Sequence, residues 1–279
     1  MALNFDSNAY FKFFFDITTK CNLHCSYCFA RKIKNWNKEI SLENFNYMLN
    51  IFKKIKDKSN IILFGGEPLL HSKIDYILNE LSKLHHQIII LSNGLLDLNL
   101  YKKALKYNFI LSFTFHSNLK KFTKNINNLL KFKDQIVINI LLENKFHKSL
   151  YNFAIKNNIK YIFTQIYDDN EKFINPLLYK KKEYSYIKNH DILLFQDKIN
   201  YIDLIENHLN LKNKKRLCFF NEGLISMDLI YTDECRNLKI DLKKNPFFLL
   251  KGKYKKPIIC NKDCGDCYGK IISKKIIKT

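Results

Sequence analysis

Between residues 10 and 165 the chain alternates strand and helix patterns, and this alternation limits its fold more than any other feature. Tyr10–Thr19 (YFKFFFDITT) is aromatic and β-branched and predicts a strand. Glu43–Ile55 sets Phe45, Met48, Leu49, Phe52 and Ile55 at helical spacing. The same reading gives strands at Asn60–Phe64, Gln87–Leu91, Phe109–Phe115, Gln135–Leu142 and Lys160–Gln165. Helices fall between them at Ile74–Leu84, Leu98–Tyr107, Lys120–Phe132 and Lys148–Asn157. Repeated βα units with short connections imply parallel strands covered by helices. Eight units close a full barrel at about 250 residues, so six predict an incomplete barrel or an open sheet. The expected fold is α/β over residues 1–170, an incomplete (β/α)6 TIM-like barrel or an open sheet. A polar connecting helical segment over 171–214, with a helix near Asp191–Leu209, leads to a small cysteine-rich module over 215–279. In parallel α/β folds the working groups gather at the C-terminal ends of the strands.

Composition narrows the functional classes. Of 279 residues 47% are hydrophobic and 14% aromatic, enough to bury a core and to exclude wholesale disorder. Seven Gly and four Pro exclude collagen-like and low-complexity chains. No apolar stretch reaches the roughly 20 residues of a membrane span. Met1–Asn8 has neither a basic run nor a signal-peptide core. The expectation is a cytoplasmic protein with no membrane association. The net charge of +21 suits nucleic acid, an anionic membrane or an acidic substrate. The lysines are scattered, however, with Lys180–Lys182 the longest run. The chain is also rich in Asn, Ile, Phe and Tyr, which reads as compositional drift rather than a binding footprint.

The eight cysteines fall in two groups: Cys21, Cys25 and Cys28, then Cys218, Cys235, Cys260, Cys264 and Cys267. In a chain without an export signal, clustered thiols point to metal or redox chemistry rather than disulfides. The first group forms C-x3-C-x2-C directly after the first strand. Three thiolates on one loop can bind three irons of a [4Fe–4S] cube and leave the fourth iron open to a ligand, as catalytic metal sites do. A zinc site with His24 as fourth ligand is the alternative. Gly65-Gly66-Glu67-Pro68 follows the second strand, where glycine lets backbone approach a ligand closely and the carbonyls and Glu67 can receive an ammonium group. A plain βα turn is the competing reading. Ser92-Asn93-Gly94 ends the third strand, Thr114 and His116 the fourth, and Asn139 and Gln165 stand near the ends of the fifth and sixth.

In these features the chain resembles the radical S-adenosylmethionine superfamily, which carries C-x3-C-x-φ-C after the first strand of a partial (β/α)6 barrel. The resemblance covers roughly residues 10–165. It implies that Cys21, Cys25 and Cys28 bind a [4Fe–4S] cluster and that Tyr27 lies near the adenine of S-adenosylmethionine. It implies that the GGEP motif, Gly65 to Pro68, binds the methionyl amine. Ser92 and Asn93 would then stand near the cofactor's carboxylate or ribose, with Thr114 close by. His116 takes the place of an acid common in the family and is a candidate catalytic residue. The tail resembles a SPASM or twitch-like module with an auxiliary [4Fe–4S] cluster on Cys218, Cys235, Cys264 and Cys267, Cys260 being the alternate. There the family's usual Gly is Ile230, although Gly223 persists. Zinc is the other reading of this module.

The function so implied is reductive cleavage of S-adenosylmethionine to a 5′-deoxyadenosyl radical. That radical abstracts hydrogen from a peptide, a sugar or another small metabolite, and the electron comes from a donor such as flavodoxin or ferredoxin. The alternatives are an RNA-modifying enzyme of the same superfamily and a non-catalytic iron–sulfur or zinc protein.

Overall fold

The computed structural model describes residues 11–25, 28, 36–142, 147–165, 192–194, 197–199, 216–218, 222–233, 238–250 and 258–260. Six parallel strands follow one another across the sheet in chain order: β1 (Lys12–Thr18), β2 (Asn60–Gly65), β3 (Gln87–Ser92), β4 (Ile110–Thr114), β5 (Ile136–Leu142) and β6 (Lys160–Gln165). Helices α1 (Leu42–Lys54), α2 (Ile74–Leu81), α3 (Leu98–Lys106), α4 (Leu119–Asn127) and α5 (Lys148–Lys156) carry the crossovers. This is the expected partial barrel, with boundaries within two residues of the sequence reading at most ends.

Local chemistry explains the elements. Ser41 caps α1, its hydroxyl accepting from the Asn44 amide at 3.1 Å, and Lys53 and Lys54 meet the negative end of the helix dipole. The apolar stripe Phe45, Met48, Leu49 and Phe52 then faces the sheet, fully or nearly buried. On β1 the side chains alternate. Phe11, Phe13, Phe15 and Ile17 enter the large core shared with the helices, each burial contributing about 1.5–3 kcal/mol. The opposite face of the sheet has its own smaller core of Ile62, Ile89, Ile110, Val137 and Ile162, with Phe14 and Leu91 against it. That second core is the floor of the barrel.

The structure differs from the sequence reading in three places. The helix expected over Lys120–Phe132 ends at Asn127, and a tight 3-10 stretch, Leu130–Gln135, follows, with non-helical backbone at Phe132. The helix expected near Asp191–Leu209 is replaced, where the chain is described, by a short antiparallel pair, β7 (Ile192–Leu194) and β8 (Asp197–Ile199).

Third, β10 (Glu222–Ile225) adds parallel to the free edge of β1, and β11 (Ile230–Asp233) and β12 (Leu238–Asp241) continue antiparallel, making one nine-stranded sheet. The turn between β10 and β11 puts Leu229 at φ 61°, so the left-handed position falls there and not at Ile230. A bulky residue in that conformation costs about 1–2 kcal/mol, and complete burial of the Leu229 side chain offsets it. A second pairing joins β9 (Arg216–Cys218) to β13 (Ile258–Cys260), and α6 (Phe247–Leu250) lies between β12 and β13 in the chain. Among the described residues no helix is long and apolar enough to cross a membrane.

Candidate active site at the mouth of the barrel

Because β1 to β6 are parallel, the chain leaves them all at one edge of the sheet, and the mouth is built there. The exit of β1 is pinched shut. Thr19 N–H donates to the Lys38 carbonyl at 2.9 Å, Lys38 N–H to Thr19 Oγ1 at 2.9 Å, and Thr18 Oγ1 to the Lys38 carbonyl at 3.0 Å. Glu39 locks this base. It accepts from the Ser72 amide and hydroxyl, both at 2.6 Å, and pairs with Lys20 at 2.9 Å. Burial pushes its carboxyl up, but the Ser72 hydroxyl and the Lys20 ammonium outweigh this and hold it at about 2. The loop so closed carries Cys21, Cys25 and Cys28, all half-buried.

The exit of β2 lies directly on the exit of β1. Gly66 N–H donates to the Thr18 carbonyl and Glu67 N–H to the Lys20 carbonyl, both at 2.6 Å. A Cβ on Gly65 would fall 2.1 Å from the Thr18 oxygen, and one on Gly66 2.2 Å from the Lys20 oxygen. Gly65 also takes φ +131°, a conformation side chains rarely allow. The close approach these glycines permit is thus to the backbone just before Cys21. Pro68 opens a buried one-turn 3-10 helix, Pro68–Leu70.

Glu67 has no exposed surface. Its Oε2 accepts from Ser92 Oγ at 3.0 Å and from the Asn93 amide at 2.8 Å, while Oε1 is buried without a hydrogen-bond partner. Burial pushes this carboxyl up to about 7 against the Asn93 amide, the Ser92 hydroxyl and the Leu69 amide. Ser92 Oγ also shares a bond with the Tyr101 hydroxyl at 3.2 Å, and that hydroxyl accepts from the Leu96 amide at 2.9 Å. Burial, and then the nearby Glu67, push the Tyr101 phenol upward. Asn93 reaches back to the cysteine loop, its Nδ2 2.7 Å from Asn22 Oδ1 and 4.0 Å from Cys21 Sγ. Burial pushes the Cys21 thiol up, and Glu67, Cys25 and Cys28 push it further. Three mutually repelling sulfurs beside a carboxylate form a site that a cationic metal group would satisfy. Among the described residues no three His, Cys, Asp or Glu side chains stand close enough to share a single metal ion. A four-iron cube instead takes each thiolate on its own iron. His24, the alternative zinc ligand, stacks on Trp36 with ring centroids 6.2 Å apart.

Across the mouth, Asn139 Nδ2 donates to Ser112 Oγ at 2.8 Å and to Thr114 Oγ1 at 3.0 Å. Burial pushes the half-buried His116 down to about 4, so its ring is neutral at pH 7. The structure therefore gathers Cys21, Gly65, Gly66, Glu67, Ser92 and Asn93 into one network and sets Thr114, His116 and Asn139 opposite. The backbone of Gln165 ends β6. Tyr27, Cys235, Cys264 and Cys267 lie outside the described residues. Cys218 and Cys260 fall on the paired strands β9 and β13.

Sequence reasoning missed Asn22, Ser112, Tyr101 and Asp16. Asp16 sits among the residues that alternate with the outer core on β1, and its Oδ1 is buried without a hydrogen-bond partner. Burial pushes its carboxyl up to about 7, the Thr18 amide opposing and Asp228 adding to the shift. A single acid inside an aromatic strand was the available signal.

A family model described as the Radical SAM superfamily matches residues 15–169, more than half of the chain. The chain belongs to the radical SAM superfamily. That membership implies a [4Fe–4S] cluster and S-adenosylmethionine as cofactors. Relatives match over parts of this radical SAM core. A GTP 3′,8-cyclase of Clostridium perfringens is 24% identical over 54% of the chain and 53% of its own length. An S-adenosylmethionine-dependent nucleotide dehydratase of Selenomonas ruminantium is 32% identical over 30% of each. An L-lysine 2,3-aminomutase of Buchnera aphidicola is 33% identical over 25% of the chain and 21% of its own length. The chain thus spans about half or less of these relatives. Solved structures share the fold over most of the radical SAM chain. AnSMEcpe with bound AdoMet and the Cp18Cys peptide has a TM-score of 0.57 at 15% identity, over 92% of this chain and 86% of that one. SuiB of Streptococcus suis, bound to S-adenosylmethionine, has a TM-score of 0.58 at 13% identity, over 89% and 66%.

Proposed function

We propose that the protein is a radical SAM enzyme that holds a [4Fe–4S] cluster on Cys21, Cys25 and Cys28 and abstracts hydrogen from a peptide, a sugar or another small metabolite. The observation that carries this reading is the joint between the cysteine loop and the Gly65–Pro68 motif, where each glycine is required by the backbone leading to Cys21. A loop that only bound a structural metal would not need that joint. When bound, the cluster and S-adenosylmethionine supply a 5′-deoxyadenosyl radical, with the electron coming from a low-potential donor such as flavodoxin or ferredoxin.

The chain's own residues do the rest. The Cys21, Cys25 and Cys28 thiols hold the cluster as thiolates, and the Lys20–Glu39–Ser72 clamp keeps their loop closed at its base. Backbone carbonyls at Gly65 and Gly66 offer acceptors for the methionyl ammonium. Glu67, turned inward to Ser92 and Asn93, orients the third loop rather than meeting the ligand with its bonded oxygen. The apolar floor of Phe14, Ile62, Ile89, Ile110 and Val137 excludes water beneath the site. Thr114, His116 and Asn139 offer a hydroxyl, a neutral ring and an amide for the ribose or the substrate.

The peptide and small-metabolite classes draw support from the fold neighbours. One of them was solved with a peptide, and another, BtrN, with 2-DOIA. The C-terminal cysteines Cys218, Cys235, Cys264 and Cys267 are proposed to hold an auxiliary cluster. The β9–β13 register supports a place for Cys260 as well, because Ile258, two residues away, is the partner of Cys218.

The test is anaerobic reconstitution with iron and sulfide, then dithionite and S-adenosylmethionine. Release of 5′-deoxyadenosine and methionine is expected. An intact cluster that yields neither would overturn the enzyme reading.

A further inference from the structure

We propose that Asn93 tunes the reduction potential of the cluster by donating its side-chain N–H to the sulfur of Cys21. This rests on the reading that Cys21, Cys25 and Cys28 carry a [4Fe–4S] cluster.

The orientation of the Asn93 amide follows from its partners. The Leu95 amide donates to Asn93 Oδ1 at 2.9 Å, so that atom must be the acceptor. The nitrogen therefore faces the cysteine loop. One of its two N–H groups meets Asn22 Oδ1 at 2.7 Å. The same nitrogen lies 4.0 Å from Cys21 Sγ, the outer range for a sulfur acceptor, and carries a second N–H. The main chain of Asn93 is fixed independently, its own N–H donating to Glu67 Oε2 at 2.8 Å. The residue is only 5% exposed, so water competes little for these groups. The Leu23 amide approaches the same sulfur at 3.4 Å. Cys21 thus sits under two N–H donors, one from its own loop and one brought from β3.

Such donors have a known electrostatic effect. When the cluster gains one electron from a low-potential donor, part of the added charge spreads onto the ligand sulfurs. N–H dipoles aimed at a sulfur stabilise the reduced form more than the oxidised one and raise the potential. Low surrounding polarity strengthens the effect. Asn93 acts on the cluster through Cys21, so it is a positioning residue, and Glu67 and Leu95 hold it at its post.

The experiment is a redox titration followed by electron paramagnetic resonance on the anaerobically reconstituted full chain, without S-adenosylmethionine. Asn93→Ser keeps an oxygen that can accept from the Leu95 amide but is too short to reach the sulfur. Asn93→Asp keeps the shape and removes the donor. Both variants are expected to load the same iron as the wild type and to move the midpoint potential to more negative values. If Asn93→Ser fails to load, Asn93→Leu serves as the neutral variant. An unmoved potential in the neutral variant, or a drop confined to Asn93→Asp, overturns the proposal, since added charge would then be the whole cause. A wild type that assembles no cluster overturns the underlying reading instead, and iron content and visible absorbance report that outcome separately.

Discussion

The two halves of the mouth are built on different terms. From β1 to β3 the polar groups are committed to one another: Gly66 and Glu67 bond the chain before Cys21, Glu67 bonds Ser92 and Asn93, and Asn93 returns to Asn22. From β4 to β6 the bonds seen among the described residues are more local. Asn139 ties Ser112 to Thr114, and His116 stands half-buried at the rim. The first half spends its hydrogen bonds on fixing three loops in one geometry. The second places a hydroxyl, an imidazole and an amide at or near strand ends. This division suits a site in which one side holds cofactors that never change and the other meets a substrate particular to this protein.

The largest expected effect breaks the first half outright. Cys25→Ala removes one of three thiolates. Cluster loading should be lost, with iron content and the reduced-cluster resonance falling to background and no 5′-deoxyadenosine formed. Retention of a stable cluster with full product would remove Cys25 from the ligand set.

Gly66→Ala attacks the joint without touching a thiol. Its new Cβ would lie 2.2 Å from the Lys20 oxygen, so the backbone before Cys21 must move. Overpacking of this kind costs about 1–3 kcal/mol, read as a lower urea midpoint, and the displaced loop should retain less iron. A variant as stable as the wild type would show that the joint is looser than its hydrogen bonds indicate.

The contrast between the halves also explains what the sequence revealed. All six strands and the five helices between them were legible because each helix carries an apolar stripe and each strand a branched or aromatic run, signals that act over a few residues. The cysteine triplet and the Gly65–Pro68 motif were legible for the same reason, since their chemistry is contiguous. Asn22 and Tyr101 were not, because their roles arise only when the ends of β1 and β3 meet. Asp16 was overlooked within an aromatic strand although its polarity set it apart. The pairing of β10 with β1 joins residues more than 200 positions apart, and no local pattern announces such a contact. The Leu229 turn hid for a different reason: burial compensates a backbone conformation that normally selects glycine.

A subtler probe of the first half is pH. The Glu67 carboxyl is raised from 4.5 to about 7. Between these values the folded state holds a proton that the unfolded chain has released, so stability falls as pH rises through this window and levels off above it. Glu67→Gln removes this dependence. The stability of the variant minus that of the wild type should therefore climb by on the order of 3 kcal/mol from pH 4.5 to pH 7, measured by urea unfolding at each pH. A flat difference would mean that Glu67 ionises normally and that burial is not its dominant influence.

The smallest effect tests whether the second half stands apart. Asn139→Ala removes two donations and leaves the buried Ser112 hydroxyl short of a partner. At about 0.5–1.5 kcal/mol per bond, the chain should lose roughly 1–2 kcal/mol of stability. Because none of the bonds linking Cys21 to Glu67 passes through Asn139, iron content and the reduced-cluster resonance should match the wild type. If substrate or ribose contacts lie on this side, 5′-deoxyadenosine formation should slow while the cluster remains intact. Loss of iron along with stability would instead mean that strain at β5 crosses β4 to β3, and that the mouth behaves as one unit rather than two.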